Sequence, residues 1–369
     1  MKLKFLSLSR PTDITLKDWN CWGWQLKNSK KIFADLNGSG SKSDFGFQVR
    51  VTPYYHALAE FSMAIDKNSS PQDDPIGRLY YPQSLEKVTG KQEMLDPLDE
   101  LAHSPVPGIV HRYPDRALLL VTDTCSVYCR FCTRKHYTGK DQAMIKKDHL
   151  ANALTYLKNH PEICEVILSG GDPLTLGDNQ LVQILSEIRK IDHIEIIRIG
   201  TRMPVVCPMR ITRDLVEAIR EYGPIFIMTH FNHPRELTED AAYALGLFVD
   251  HGVPVFNQMV LLKGVNNDPE VVRELSRKLL YLRVKPYYMF QCDPSQGTDH
   301  LRTSVDESKA IQKSLWGNLS GLAMPNLALD IPGGGGKVPL FPNFEVSKDP
   351  GKTKYIGWDG IPGEYIDPE

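Results

Sequence analysis

The chain has 369 residues, 41% of them hydrophobic, which is enough for one large α/β domain with an accessory segment and argues against disorder. With 43 basic against 45 acidic residues and a net charge of -2, it lacks the positive excess that would hold nucleic acid or an anionic membrane. The opening Met1-Lys2-Leu3-Lys4-Phe5 has no signal-peptide core and no apolar run approaches the roughly 18 residues of a membrane span, so a soluble, cytoplasmic protein is expected.

Residues 1–105 read as a largely helical and irregular segment, with aromatic anchors at Trp19, Trp22 and Trp24 and a Gly/Ser-rich patch at 37–41. From about Arg116, short apolar or β-branched runs alternate with segments of helical period. Strands are predicted at 117–122, 165–168, 194–199, 224–228, 253–259 and 285–290, separated by amphipathic helices such as 181–191, 215–222 and 271–282. Six βα units predict an α/β fold whose parallel sheet curves into a partial barrel over 106–300, followed by a C-terminal extension at 301–369.

The polar residues that stand out follow the predicted strands in order. Three cysteines come after the first, then Ser169-Gly170-Gly171-Asp172, Gly200-Thr201-Arg202 and Thr229-His230-Phe231-Asn232-His233; Asn257-Gln258 lies late in the fifth strand and Gln291-Cys292-Asp293 closes the sixth. The carboxyl ends of parallel barrel strands share one face, and ligands bind there. One or two such groups could fall there by chance, but six in order point to a site.

Seven cysteines in a chain of this length do not make a disulfide framework. Cys21, Cys164, Cys207 and Cys292 are scattered and read as small buried hydrophobes. Cys125, Cys129 and Cys132 form C-x3-C-x2-C, a spacing that can hold three irons of a 4Fe–4S cluster and leave the fourth open for chemistry. A structural zinc with His136 as fourth ligand is the rival, although zinc modules are usually built from two separated ligand pairs. Near the other end, Gly333-Gly334-Gly335-Gly336 lead into Lys337, where close backbone approach to a flat ring and a Schiff base with an aldehyde cofactor are both feasible. A nucleotide-binding loop is excluded, because Ile331 stands six residues before the lysine and Val338 follows it.

With Phe131 just before the third cysteine, the cluster resembles the radical S-adenosylmethionine (SAM) signature. The stretches His111–Arg116, Cys132-Thr133-Arg134, Leu168–Asp172, Thr229–Pro234 and Pro332–Lys337 together resemble the lysine 2,3-aminomutase family from about residue 105 to 343, with a weaker extension through Trp19–Asn28 and Thr52–Tyr55. The resemblance implies a radical SAM barrel with three cofactors: a 4Fe–4S cluster on Cys125, Cys129 and Cys132, SAM, and pyridoxal 5′-phosphate (PLP) on Lys337. It implies that Arg112 and Arg116 hold the PLP phosphate with Tyr113 near the cofactor, and that Phe131, Ser169, Gly170, Gly171, His230, Asn257 and Gln258 surround SAM. Arg134 is then the partner of the substrate carboxylate, and Asp293 and Asp330 receive a distal cation. Two converging carboxylates repel unless a cation neutralises them, so their joint presence predicts a basic amino acid.

The implied reaction is an isomerisation in which the α-amino group moves to the β-carbon after a 5′-deoxyadenosyl radical removes a β-hydrogen. L-Lysine is the expected substrate; arginine and a protein-bound lysine are alternatives within radical SAM chemistry, and a non-catalytic zinc or iron–sulfur protein is the alternative outside it. An electron donor such as flavodoxin or ferredoxin and a homo-oligomer are expected, without nucleic acid or membrane. Some members hold zinc between subunits through C-terminal cysteines; Asp268 stands where such members have a cysteine and the tail to Glu369 has none, so that zinc is not expected. The pattern also departs from the family over 34–48 and at Lys135 and His136.

Overall fold

A computed structural model describes residues 3–30, 47–67, 70–88 and 90–368. The Gly/Ser-rich patch at 37–41, and 34–46 of the divergent stretch, lie outside the described residues. Nine strands form one sheet in sequence order: β1 (Ile109–Tyr113), β2 (Arg116–Thr122), β3 (Glu165–Gly170), β4 (Ile196–Gly200), β5 (Ile225–Thr229), β6 (Val255–Leu261), β7 (Lys285–Gln291), β8 (Asn326–Ile331) and β9 (Gly336–Pro339). From β2 to β8 every neighbour is parallel, while β1 and β9 pair antiparallel to the two ends.

The six predicted strands correspond to β2–β7. Beyond them the barrel gains a further parallel strand, β8, and the β8–β9 hairpin, both from the stretch expected to form the C-terminal extension. The two edges of the sheet approach one another through side chains: Arg112 Nε donates to the Gly334 carbonyl at 3.2 Å, and the Lys337 amide donates to the Tyr113 hydroxyl at 3.0 Å.

Strand alternation decides what faces the lumen. In β4, Ile197 and Ile199 are fully buried on the outer face, whereas Arg198 and Gly200 line the central cavity. The outer face is covered by amphipathic helices, among them Asp178–Ile188, Arg213–Arg220, Glu239–Asp250 and Pro269–Tyr281. Thr212, Thr238 and Asp268 start three of these helices by accepting a backbone N–H on the side chain, worth about 1 kcal/mol each. The last three strands, β10 (Glu345–Asp349), β11 (Lys352–Ile356) and β12 (Pro362–Ile366), make a separate antiparallel sheet.

The N-terminal segment reaches the carboxyl-end loops. The Met94 amide donates to the Pro294 carbonyl, the Gln296 amide to Met94, and the Gly333 amide to Pro97. It also braces the cysteine loop, since Tyr128 N–H donates to Arg50 and Arg130 N–H to Leu79. No helix among the described residues is long and apolar enough to cross a membrane.

Candidate active site

The loop after β2 carries the three cysteines, and the carboxyl ends of the following strands complete a cavity of about 510 Å³. Its walls include Cys125, Cys129 and Cys132, which follow the carboxyl end of β2, and Arg112, Tyr113 and Arg116, which flank its start, together with Lys337, Ser169, Gly170, Gly171, His230 and Gln258. Gly170 has φ +112° and an added Cβ there would sit 2.3 Å from the Thr122 carbonyl oxygen; one at Gly171 would sit 2.3 Å from that of Thr124. The two glycines are required for β3 to end against the cysteine loop.

All three thiols are partly accessible, through the cavity they line, while protein packs around them. Burial first, and the neighbouring thiolates next, push the Cys125 and Cys132 thiols up, so unliganded they are neutral. Cys132 Sγ accepts from the Arg134 amide at 3.3 Å, and Cys129 Sγ accepts from Arg202 Nη1 at 2.9 Å. Among the described residues no three His, Cys, Asp or Glu side chains converge on a single-ion centre. A four-iron cluster asks for something different, one thiolate for each of three irons, and three cysteines of one loop that line one cavity supply that number. Beside them Thr229 Oγ1 and His230 Nε2 are buried without a hydrogen-bond partner among the described residues. Burial and the charge of Arg202 push His230 down to about 3, so the ring is neutral. These unsatisfied groups suit a polar organic ligand next to the thiols.

At the far end Lys337 Nζ lies 3.1 Å from an Asp330 carboxylate oxygen, directly across the β8–β9 pair, and Arg112 Nη1 lies 3.7 Å from Asp330. Arg112 Nη2 is buried without a hydrogen-bond partner among the described residues. The Arg116 guanidinium stacks 4.0 Å from the Tyr113 ring and bonds Asp115 at 2.6 Å. A lysine amine and an unsatisfied guanidinium on one cavity fit an aldehyde that carries a phosphate. Burial first, then the charge of Asp330, pushes the Asp293 carboxyl up to about 7, against the opposing pull of Lys337 and Arg112.

Three of the expected residues make contacts that their place in the sequence does not suggest. Arg134 grips Glu100 with Nε and Nη2, at 2.6 to 2.9 Å, and gives Nη1 to Ser169 Oγ at 2.8 Å. Its guanidinium therefore already has one carboxylate and offers a second only its remaining N–H groups. Asn257 does not line the cavity: fully buried, it exchanges both side-chain hydrogen bonds with the Phe231 backbone and so fixes the loop that carries His230. Phe131 packs on the His230 ring, centroids 5.4 Å apart, and is likewise absent from the cavity wall, as are Asp293 and Asp330, which neighbour the wall residue Lys337. Glu100 and Arg198 were not anticipated in the site, and Arg202 was singled out without a role. Gly200-Thr201-Arg202 did stand out at a strand end, but nothing local in the sequence marks Glu100.

The barrel and its cysteine loop define a radical SAM enzyme, and residues 119–275 match the Radical SAM superfamily model. Residues 312–369 match the lysine-2,3-aminomutase model. The chain is 40% identical to L-lysine 2,3-aminomutase of Clostridium subterminale, over 96% of this chain and 86% of that protein. It is 43% identical to the L-lysine 2,3-aminomutase of Methanococcus maripaludis, over 96% and 83%, and 38% identical to glutamate 2,3-aminomutase of Clostridioides difficile, over 97% and 85%. The chain belongs to the lysine 2,3-aminomutase family.

Proposed function

We propose that this enzyme moves the α-amino group of a free basic L-amino acid, L-lysine, to the β-carbon, with the cluster on Cys125, Cys129 and Cys132, SAM beside it, and PLP on Lys337. When bound, the cluster supplies one electron to break a sulfonium bond and generate a carbon radical, while PLP supplies the carbonyl that carries the migrating nitrogen. The residues around them bind and orient. Ser169, Gly170, Gly171, His230 and Gln258 present the polar edge facing SAM, with Phe131 and Asn257 fixing that edge from behind. Arg112 and Arg116 offer guanidinium N–H groups to a phosphate, Tyr113 holds the Lys337 backbone, and the free N–H groups of Arg134 take the substrate carboxylate.

The observation that carries the substrate is the Asp293–Asp330 pair beside Lys337. Drawing Arg112 toward a phosphate leaves two carboxylates short of positive charge in a buried setting, and a distal ammonium restores the balance. A glutamate side chain would add a third negative charge there, which favours the relatives named for lysine over the one named for glutamate. The barrel lumen holds the reacting carbons close to each other and away from water. A flavodoxin- or ferredoxin-type protein would provide the electron, and a cytoplasmic homo-oligomer is the setting proposed.

The test is anaerobic incubation of cluster-reconstituted protein with SAM, PLP and reductant, given lysine, arginine or glutamate in separate reactions, with chromatography that resolves α- from β-amino isomers. β-Lysine alone is expected. β-Arginine would move the substrate assignment, and no isomer from any of the three, despite SAM cleavage, would refute a free basic amino acid.

A further inference from the structure

Arg202, at the carboxyl end of β4, is 8% exposed and spends its guanidinium in an unusual way. Nη1 donates to Cys129 Sγ at 2.9 Å, Nη2 donates to Glu236 Oε1 at 2.8 Å and to the Tyr55 hydroxyl at 2.9 Å, and Nε reaches the His230 carbonyl at 3.3 Å. The same group lies 5.6 Å from the Phe131 ring centroid. It is held rigidly, because Glu236 is fully buried, accepts from Tyr55 at 2.5 Å and takes the Asn232 and His233 amides on its other oxygen. One cation thus contacts a cysteine of the loop, the backbone of the His230 segment and a tyrosine from the helix Pro53–Asp66.

A structural buried arginine would need only its carboxylate. Here one nitrogen is turned away from Glu236 onto a sulfur that faces the cavity, and the contrast with Cys132, which accepts only a backbone amide, gives Cys129 the one charge-assisted donor found among these thiols in the described residues. Hydrogen bonds to cluster sulfurs and nearby charge set iron–sulfur potentials. We infer that Arg202 is a positioning residue that fixes Cys129 and, through its hydrogen bond to that sulfur, raises the reduction potential of the cluster. Reduction adds one electron to the cluster from an external reductant with no proton taken up; the added negative charge spreads onto the thiolates and is stabilised by the guanidinium. Glu236 opposes this by partly neutralising the same cation.

The inference rests on the three cysteines holding a cluster, and the experiment separates the two claims. Reconstituted wild-type protein is assayed for iron and sulfide and titrated with dithionite, with the reduced cluster followed by electron paramagnetic resonance; a wild-type protein that takes up no cluster refutes the functional assignment itself. With wild-type cluster present, Arg202→Met is expected to keep its iron and lose at least tenfold in the equilibrium constant for reduction, about 59 mV toward negative potential for a one-electron couple. Arg202→Lys should recover part of that shift. An Arg202→Met protein with full iron content and the wild-type potential would overturn the inference. If that variant does not fold or load, Glu236→Gln decides: a potential more positive than wild type supports the role, and an unchanged one overturns it.

Discussion

At the cysteine end of the cavity Arg130 meets Glu86, Arg134 meets Glu100 and Arg202 meets Glu236; at the lysine end Asp330 pairs with Lys337 and Arg112, Asp293 feels the charge of both, and Arg112 keeps a nitrogen unpartnered among the described residues. The first end is charge-paired before any ligand arrives. The second is balanced only loosely, with one carboxyl pushed to about 7. A thiol loop that must hold a preformed geometry gains from rigid neighbours whose charges are already paired, whereas a pocket for a charged cofactor and a charged substrate gains from charges left free to pair.

This contrast can be broken most forcefully at Lys337. Lys337→Ala should abolish isomer formation while iron content stays at the wild-type level, whereas Cys125→Ala should remove both; equal loss of cluster in the two variants would mean that the ends are not separable. Next comes stability. The Arg130–Glu86 pair is buried on both sides, so Glu86→Gln leaves an uncompensated guanidinium and should cost about 3–5 kcal/mol in denaturant unfolding. Asp293→Asn should leave the fold intact and raise KM for lysine about 30-fold, the equivalent of about 2 kcal/mol for truncating one partner of a buried charge pair.

The smallest effect is the most diagnostic of the carboxylate pair. Asp293 is protonated below about 7, and only its ionised form attracts an ammonium, so KM for lysine should rise as pH falls through that value, by up to about tenfold per unit. Asp330→Asn removes a charge that holds the Asp293 carboxyl up, and should move the inflection to lower pH. A KM profile unaffected by Asp330→Asn would show that the two carboxylates do not act as a pair.

What could be read from sequence and what could not divides along physical lines. The cysteine triplet, Ser169-Gly170-Gly171-Asp172 and the glycine run before Lys337 are local patterns whose chemistry needs residues close in the chain, and the structure brings the cysteines, Ser169–Asp172 and Lys337 to one cavity. The charge partners Glu86, Glu100 and Glu236 come from 34 to 44 residues away from their arginines, and no local period encodes such pairings. Asn257 is the instructive case: adjacent to Gln258 on β6, it faces the other side of the sheet, as strand alternation requires, and serves the backbone of Phe231. The extra strand β8 escaped notice because Asn326–Ile331 begins with an exposed polar residue and carries Asp330 near its end, which breaks up the apolar run, yet it is what sets Asp330 opposite Lys337.

The central claim is that the two ends of the cavity act on one substrate molecule. It is tested most directly by giving the reconstituted enzyme lysine deuterated at the β-carbon and examining SAM and product by mass spectrometry. Deuterium appearing at the 5′ position of SAM as β-lysine forms is the predicted result. β-Lysine formed with no label ever entering SAM would contradict the account.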